Sequence, residues 1–476
     1  MNDKAIFNAL GKILVLLAFT MLVPLFVALY YREPLEPFLV STLVTFLAGL
    51  ILARINENAD WQQKEALAIV ALSWLAAAIF GAIPFLFEGI SFLDAVFETM
   101  SGFTSTGSTI LVNIESYSRS LLFWRSFTQW LGGMGIIVLF IAILPKLGVA
   151  GRQLFRAEAP GPTEDKLKPR IKDTAKILWA LYVLISALEV LALMLAGISL
   201  YDSLTHTFAC MACGGFSSYG AGIEAFGSPL IEFILTFFMF AAGANFALYY
   251  RAVRIDKNLL FRDEEFRAYA SFLLGFTGLL TLVLYKDMGL SLFNSIRYAS
   301  FQITSVMTAT GFASVDFNRW KDSAKVLVLA VMFIGGCAGS TGGGMKVVRF
   351  LLMLKYARRE LFKFIHPKVV RPIRFNGRAV SDDVLQSILS FVVIYISVFV
   401  FSSMLLTLLG VELISSITAS ITTLGNIGPG FNLFGPMENF ESLLPLGKII
   451  LITNMWIGRL ELYTVLVLFT SDFWHS

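Results

Sequence analysis

The sequence predicts an all-α integral membrane protein: four pseudo-symmetric span–pore-loop–span repeats around one pore, plus two N-terminal transmembrane helices. Three observations carry that prediction. Of 476 residues, 57% are hydrophobic and 15% charged, against about 25% charged in a soluble domain, and the mean hydropathy is +0.75. The apolar residues fall in long unbroken runs, whereas barrel strands alternate over short segments. A shorter apolar stretch ending in a glycine turn recurs four times. Together these exclude a soluble enzyme, a disordered chain and a nucleic-acid binder. The formal charge of +4 is the remainder of 37 basic and 33 acidic side chains and implies no anionic partner. Three cysteines cannot build a disulfide framework.

About 20 apolar residues in a helix cross a bilayer core with every backbone bond internal. Such runs lie near residues 8–31, 36–54, 65–88, 122–145, 174–198, 229–250, 268–286, 324–340, 384–410 and 447–470. The first is too long, and too poor in a small-residue cleavage site, for a removed signal peptide, so it is expected as a retained span. Ten spans put both termini on one side. Three connections on that side are rich in Lys and Arg: 146–173 with seven, 251–267 with five and 346–378 with ten. The positive-inside rule makes them, and hence both termini, cytoplasmic. Those at 146–173 and 346–378 are also the expected docking surface for a cytoplasmic partner.

On the opposite side, apolar pieces near 91–103, 200–213, 292–309 and 413–424 are too short to span and read as re-entrant. Each ends in a glycine turn: Thr106-Gly107-Ser108, Cys213-Gly214-Gly215, Thr310-Gly311-Phe312 and Leu424-Gly425-Asn426. The turn glycines are 107, 97 and 114 residues apart. This divides the chain into two extra helices (1–60) and four pore repeats (61–150, 151–255, 256–365 and 366–476). Non-helical backbone at membrane depth survives only where protein or a wet cavity surrounds it. Four such turns can converge, and their carbonyls can replace an ion's water shell. Glycine permits successive carbonyls to face one side. The partial-negative C-terminus of each half-helix favours a cation.

At this point the sequence resembles the Trk/Ktr/HKT superfamily of potassium transporters. Thr-Ala-Thr-Gly-Phe at 308–312, Leu-Gly-Asn-Ile-Gly-Pro-Gly at 424–430, Gly-Ser-Thr-Gly-Gly-Gly-Met-Lys at 339–346 and Gly-Arg-Leu-Glu at 458–461 carry the likeness. The two extra N-terminal spans make it similar to the TrkH/TrkG type, not the shorter KtrB type. The resemblance implies filter glycines at Gly107, Gly214, Gly311 and Gly425. Potassium would be held by backbone carbonyls there, with no organic cofactor in this chain and no enzymatic activity. Glycine at all four positions is what the resemblance associates with potassium rather than sodium. It further implies potassium uptake across the bacterial inner membrane, a homodimer with one pore per subunit, and a TrkA-like cytoplasmic ring of nucleotide-binding regulatory subunits.

The second span of the third repeat holds Gly335, Gly336, Gly339, Gly342, Gly343 and Gly344 with Ser340 and Thr341. Glycine costs about 1 kcal/mol relative to Ala in a helix interior, so this span is expected to break. A close helix-packing surface is the bland alternative. A phosphate-binding loop fails on spacing, because Lys346 lies between Met345 and Val347. The resemblance implies an intramembrane gate, with Lys346 and Arg459 beside it. Arg459 lies inside the last span, where a charge is costly and faces a cavity or a partner. It is either a barrier to cations or a brace bonded to loop carbonyls. Glu461 is two residues away, so a pair with Arg459 is not expected.

Other polar residues are weighed for the ion path. Glu98 and Asp94 either draw cations to the mouth or pair within their repeat. Asn245 reads as an interhelical hydrogen bonder, Arg125 and Arg297 as anchors of pore helices, and His206 as an interfacial residue. Cys210 and Cys213 have CxxC spacing but no second pair for zinc. Two rival functions remain. A cation-coupled secondary carrier would show an inverted repeat, and this repeat runs in one orientation. A lipid-modifying membrane enzyme would show clustered acidic or His residues, and the polar content instead concentrates in the glycine turns.

Overall fold

The computed structural model describes residues 3–55, 63–142, 171–369 and 371–475. Residues 146–170 of the first basic connection lie outside the described residues. Among the described residues, six helices are long and apolar enough to cross a membrane, and two bent helix pairs raise the number to eight. A further 24-residue helix, Arg119–Ala142, completes the first repeat. The N-terminal hairpin pairs Asp3–Tyr31 with Glu36–Ala53. Gly11 and Gly49 sit at their crossing, where a Cβ on Gly11 would strike the backbone of Ala53 and Gly49. Small residues there let the two backbones approach.

Each repeat then runs as a span, a pore helix, a turn and a second span. The pore helices are Phe92–Phe103, Leu200–Met211, Leu292–Met307 and Leu413–Leu424. Ser91, Ser199 and Ser291 cap the first three, each hydroxyl accepting from the backbone N–H three residues on. That bond satisfies a donor the helix leaves open. The pore helices bury polar side chains, among them Thr99, Ser101, Thr205, Thr304, Ser305 and Thr422. Large apolar side chains such as Phe26, Phe233 and Leu274 point outward. Polar inside and apolar outside is the arrangement a lipid solvent selects.

Three expected spans are interrupted. The one at 229–250 bends by 87° between Pro229–Ala242 and Phe246–Arg254. Asn245 is the N-cap of the second piece: its Oδ1 accepts from Ala247 N (2.9 Å) and Leu248 N (3.3 Å). Its side chain is thus spent on its own helix and not on an interhelical bond. The span at 324–340 ends at Met332; residues 333–346 are non-helical and Val347–Ile365 follows. The glycine run accounts for this break. The last span bends by 116° between Pro445–Arg459 and Tyr463–Phe469. Glu461 and Leu462 both hold φ of +58° there.

Candidate functional site

All four pore helices end alike. The N–H groups of Thr106, Gly214, Thr310 and Ile427 each donate to the carbonyl five residues back, at 2.8 Å. One residue earlier, Ser105, Cys213, Ala309 and Asn426 donate three residues back at 2.9, 2.9, 3.0 and 3.3 Å. These two bonds make a Schellman motif, which needs a left-handed residue at its centre. The four centres accordingly have φ of +51°, +53°, +59° and +52°. Two residues further on the chain turns left-handed again, at Gly107, Gly215, Gly311 and Gly428, with φ of +89°, +73°, +80° and +105°.

Those four glycines interlock around a closed circuit. A Cβ on Gly107 would strike the carbonyl oxygen of Gly214, one on Gly215 that of Thr310, one on Gly311 that of Ile427, and one on Gly428 that of Thr106. Each repeat thus abuts the next, and the fourth abuts the first. The circuit corrects the register expected from sequence. In backbone conformation and contact, the equivalents of Gly107 and Gly311 are Gly215 and Gly428, not Gly214 and Gly425. Gly425 is the helix C-cap with φ −82°, and Leu424 is the last helical residue. The second repeat offers two adjacent glycines and the fourth two that are three residues apart, and only backbone conformation separates them.

Hydrogen bonds of neighbouring side chains fix the circuit. Thr106 pairs with Thr104 and Thr310 with Thr308, hydroxyl to hydroxyl, at 2.8 Å. Asn426 Nδ2 donates to Thr106 Oγ1 at 2.9 Å, and Ser108 Oγ donates to the Gly428 carbonyl at 3.1 Å, both joining the first and fourth repeats. Ser305 Oγ donates to the Phe312 carbonyl at 2.6 Å. Gln129, absent from the sequence expectations, donates from Nε2 to the Gly214 carbonyl (2.6 Å) and accepts at Oε1 from Phe216 N (3.1 Å). No glycine or charge marks Gln129 in the sequence, and only its place on the neighbouring helix reveals it.

Toward the side where the pore helices begin, the circuit opens into a polar cavity of about 70 Å³ walled by Ser108, Ser217, Gly220, Glu438 and Asn439. Glu98 does not face it as a free carboxylate. It is fully buried, accepts from Thr109 Oγ1 and Ile110 N at 2.9 Å each, and pairs with Arg125. Arg125 also donates to the Ser217 carbonyl at 2.7 Å. Asp94 is engaged by Lys448. Arg297 binds Glu232 at 2.6 Å, anchoring the third pore helix as expected. His206 is buried and not interfacial: Nδ1 meets the Asp202 carbonyl at 2.8 Å and Nε2 meets Ser217 Oγ at 2.9 Å. Burial, then the charges of Glu98 and Glu88, raise the Tyr117 phenol above its ordinary value, so it stays neutral at neutral pH. Cys210 and Cys213 are buried thiols of the second pore helix and its turn. Among the described residues no three His, Cys, Asp or Glu gather into a metal-binding group.

On the other side of the circuit lies the non-helical run 333–346. Thr341 Oγ1 donates to the Met211 carbonyl at 2.8 Å and lies 3.3 Å from Cys213 Sγ. A Cβ on Gly342 would strike the Thr308 carbonyl, and one on Gly343 the Gly425 carbonyl. Arg459 Nη1 donates to the Thr341 carbonyl (2.9 Å) and Nη2 to Ser105 Oγ (3.3 Å). Between them the loop and Arg459 therefore touch the C-terminal end of all four pore helices. Gly335 N bonds the Met345 carbonyl at 2.8 Å, and the carbonyls of Gly336 and Gly339 accept from Val347 N and Phe246 N. Ser340 Oγ donates to Cys337 O at 2.6 Å, Ala338 N to Glu265 Oε1 at 2.7 Å, and Lys346 Nζ to the Gly342 carbonyl. Gly344 holds φ +70°. Arg459 is 3% exposed, and Glu461 pairs with Arg349 instead of with Arg459.

The chain matches the family model described as TrkH, cation transport protein, over residues 40–476. It is 41% identical to the Trk system potassium uptake protein TrkH of Escherichia coli (strain K12), covering 100% of both chains. To the TrkG protein of the same organism it is 31% identical, covering 99% of each. The crystal structure of the potassium transporter TrkH from Vibrio parahaemolyticus superposes with a TM-score of 0.91 at 35% identity, covering 100% of each chain.

Proposed function

The chain belongs to the TrkH family of cation transport proteins, and on that premise we propose that it carries potassium across the bacterial inner membrane through the circuit of four turns. The observation that carries the reading is the closed contact among Gly107, Gly215, Gly311 and Gly428, each against a carbonyl of the next repeat. In the superfamily a Ser at the first of these positions tends to accompany sodium selectivity. All four are glycine in the corrected register too, in keeping with potassium.

Potassium sheds water in the polar cavity, which faces outward. Carbonyl oxygens of residues 106–107, 214–215, 310–311 and 427–428 stand in for the lost hydration. Four half-helix C-termini add negative potential below. A membrane potential contributes about 2.3 kcal/mol per charge per 100 mV toward the cytoplasm. Residues 333–346 act as the gate, with Lys346 and Arg459 as its charges. A cation ~5 Å from a guanidinium at an effective dielectric of ~20 is repelled by roughly 3 kcal/mol. The same Arg459 bonds the Thr341 carbonyl, so it both holds the loop and repels the ion. The chain assembles as a homodimer, and a TrkA-like nucleotide-binding ring docks on the basic connections.

Rubidium uptake into liposomes containing this protein alone tests the reading. Uptake driven by an imposed inside-negative potential, without a proton or sodium gradient, is expected. Uptake that appears only with one of those gradients would favour a coupled carrier. No uptake under any gradient would overturn potassium transport by this chain.

A further inference from the structure

We infer that Gln129 is a positioning residue of the ion path: it holds the second-repeat segment Gly214–Phe216 in the circuit and thereby sets discrimination between potassium and smaller cations. The inference rests on the transport reading above. It starts from an asymmetry among the repeats. In the first and third, a threonine before the left-handed glycine is tied to a threonine at the helix C-cap, Thr106 to Thr104 and Thr310 to Thr308. The second repeat has Ala212 and Gly214 at those two places, so it has no hydroxyl to make that tie.

The space is taken by an amide from another repeat. Gln129 lies on Arg119–Ala142, the second span of the first repeat, and is fully buried. A Cβ on Gly214 would come within 2.5–2.8 Å of its Cδ, Oε1 and Nε2. Gly214 is therefore glycine for room, while Gly215 is glycine for its φ of +73°. The paired Gly-Gly of this repeat has two separate causes. The amide bonds on both sides of Gly215, donating to the Gly214 carbonyl at 2.6 Å and accepting from Phe216 N at 3.1 Å. The backbone carbonyl of Gln129 meanwhile accepts from Ser105 Oγ at 3.3 Å. One residue thus links the turn of the first repeat to the segment after the turn of the second.

Only a side chain with a donor and an acceptor at the same end can make both bonds. Glutamate keeps the acceptor and turns a second oxygen toward the Gly214 carbonyl. Methionine keeps the length and makes neither bond. With methionine the Gly214–Phe216 segment loses both bonds and with glutamate the one at the Gly214 carbonyl, and it is then free to shift inward, where a smaller ion draws the oxygens closer. A carbonyl ring discriminates by how its oxygens are held as well as by their number.

The test is rubidium uptake by purified wild type, Gln129→Glu and Gln129→Met in liposomes, measured against rubidium concentration and with sodium as competitor. Both variants are expected to raise the rubidium KM about tenfold, the scale of one lost buried hydrogen bond, with the maximal rate little changed. Sodium should inhibit them at about tenfold lower concentration, by the same reasoning. An unchanged KM and unchanged sodium inhibition in either monodisperse variant would overturn the inference, as would a lower maximal rate alone. If neither variant is monodisperse, Gln129 serves folding and the inference fails. If wild type takes up no rubidium, the transport reading itself falls; if wild type transports and the variants match it, only the role of Gln129 falls.

Discussion

Gly425 and Gly428 are three residues apart, and the two do different work. Gly428 needs its φ of +105°, and a Cβ there would press on the Thr106 carbonyl. Gly425 has an ordinary helical φ of −82°, and a Cβ would meet Ile421 O at 2.9 Å and the flexible Ile427 side chain. Left-handed backbone alone costs a non-glycine residue roughly 1–2 kcal/mol. Gly428→Ala should therefore lower rubidium uptake about tenfold or more, and Gly425→Ala distinctly less. Equal losses in liposome uptake would restore the register that the sequence suggested. The correct register left a trace in the sequence. Gly107, Gly215 and Gly428 each stand 16 residues after their pore-helix N-caps Ser91, Ser199 and Glu412, and Gly311 stands 20 after Ser291, one helical turn more. Counting from the cap finds the glycine that inspection of the turn does not. Gln129 left no such trace, because its role depends on which helix lies behind Gly214.

At the scale of elements, the four Schellman ends and the broken third span explain one another. Four pore helices stop at one level because each runs into the same backbone stop, and the loop 333–346 takes up the space their C-termini leave. Composition foretold the break, since glycine weakens any helix that contains it. It did not foretell where the loop's bonds go. Those are set by the Met211, Ala242 and Gly243 carbonyls of a repeat about a hundred residues away, beyond the reach of local patterning. If the loop and Arg459 close the path, Arg459→Ala should raise rubidium flux, by up to about a hundredfold where the roughly 3 kcal/mol repulsion is unrelieved. Unchanged or lower flux at equal protein density would leave Arg459 a brace and nothing more. Thr341→Ala, which removes the bond to Met211 but no charge, should raise flux less than Arg459→Ala in the same assay.

For the whole molecule, the contrast is between spans that lipid dictates and contacts that repeats dictate to one another. Long apolar runs made the order of the helices legible, but three of the ten expected spans are interrupted. The links between repeats are single polar groups that no periodicity announces: Asn426 to Thr106, Arg125 to Ser217, and Phe440 N to the Thr109 carbonyl at 2.8 Å. The N-terminal hairpin is attached the same way. Glu33 accepts from Arg119 N (2.7 Å) and Ser120 N (2.9 Å), capping a helix of the first repeat from outside. The Arg119 guanidinium lies 4.6 Å from the Tyr31 ring and 5.6 Å from the Tyr201 ring. Glu33→Ala should cost about 1 kcal/mol of stability, as a lost helix cap does, read as a lower thermal midpoint. The rubidium KM should be unaffected, because Glu33 bonds the first repeat away from the glycine circuit; a raised KM would show that the hairpin shapes the ion path.

The proposed path requires main-chain oxygens of four repeats to hold one dehydrated monovalent cation. Anomalous diffraction from crystals grown in rubidium chloride tests it most directly. A rubidium peak on the axis enclosed by Gly107, Gly215, Gly311 and Gly428, ringed by carbonyl oxygens, is the expected result. Rubidium bound elsewhere in the molecule, with no peak inside that ring, would contradict the account.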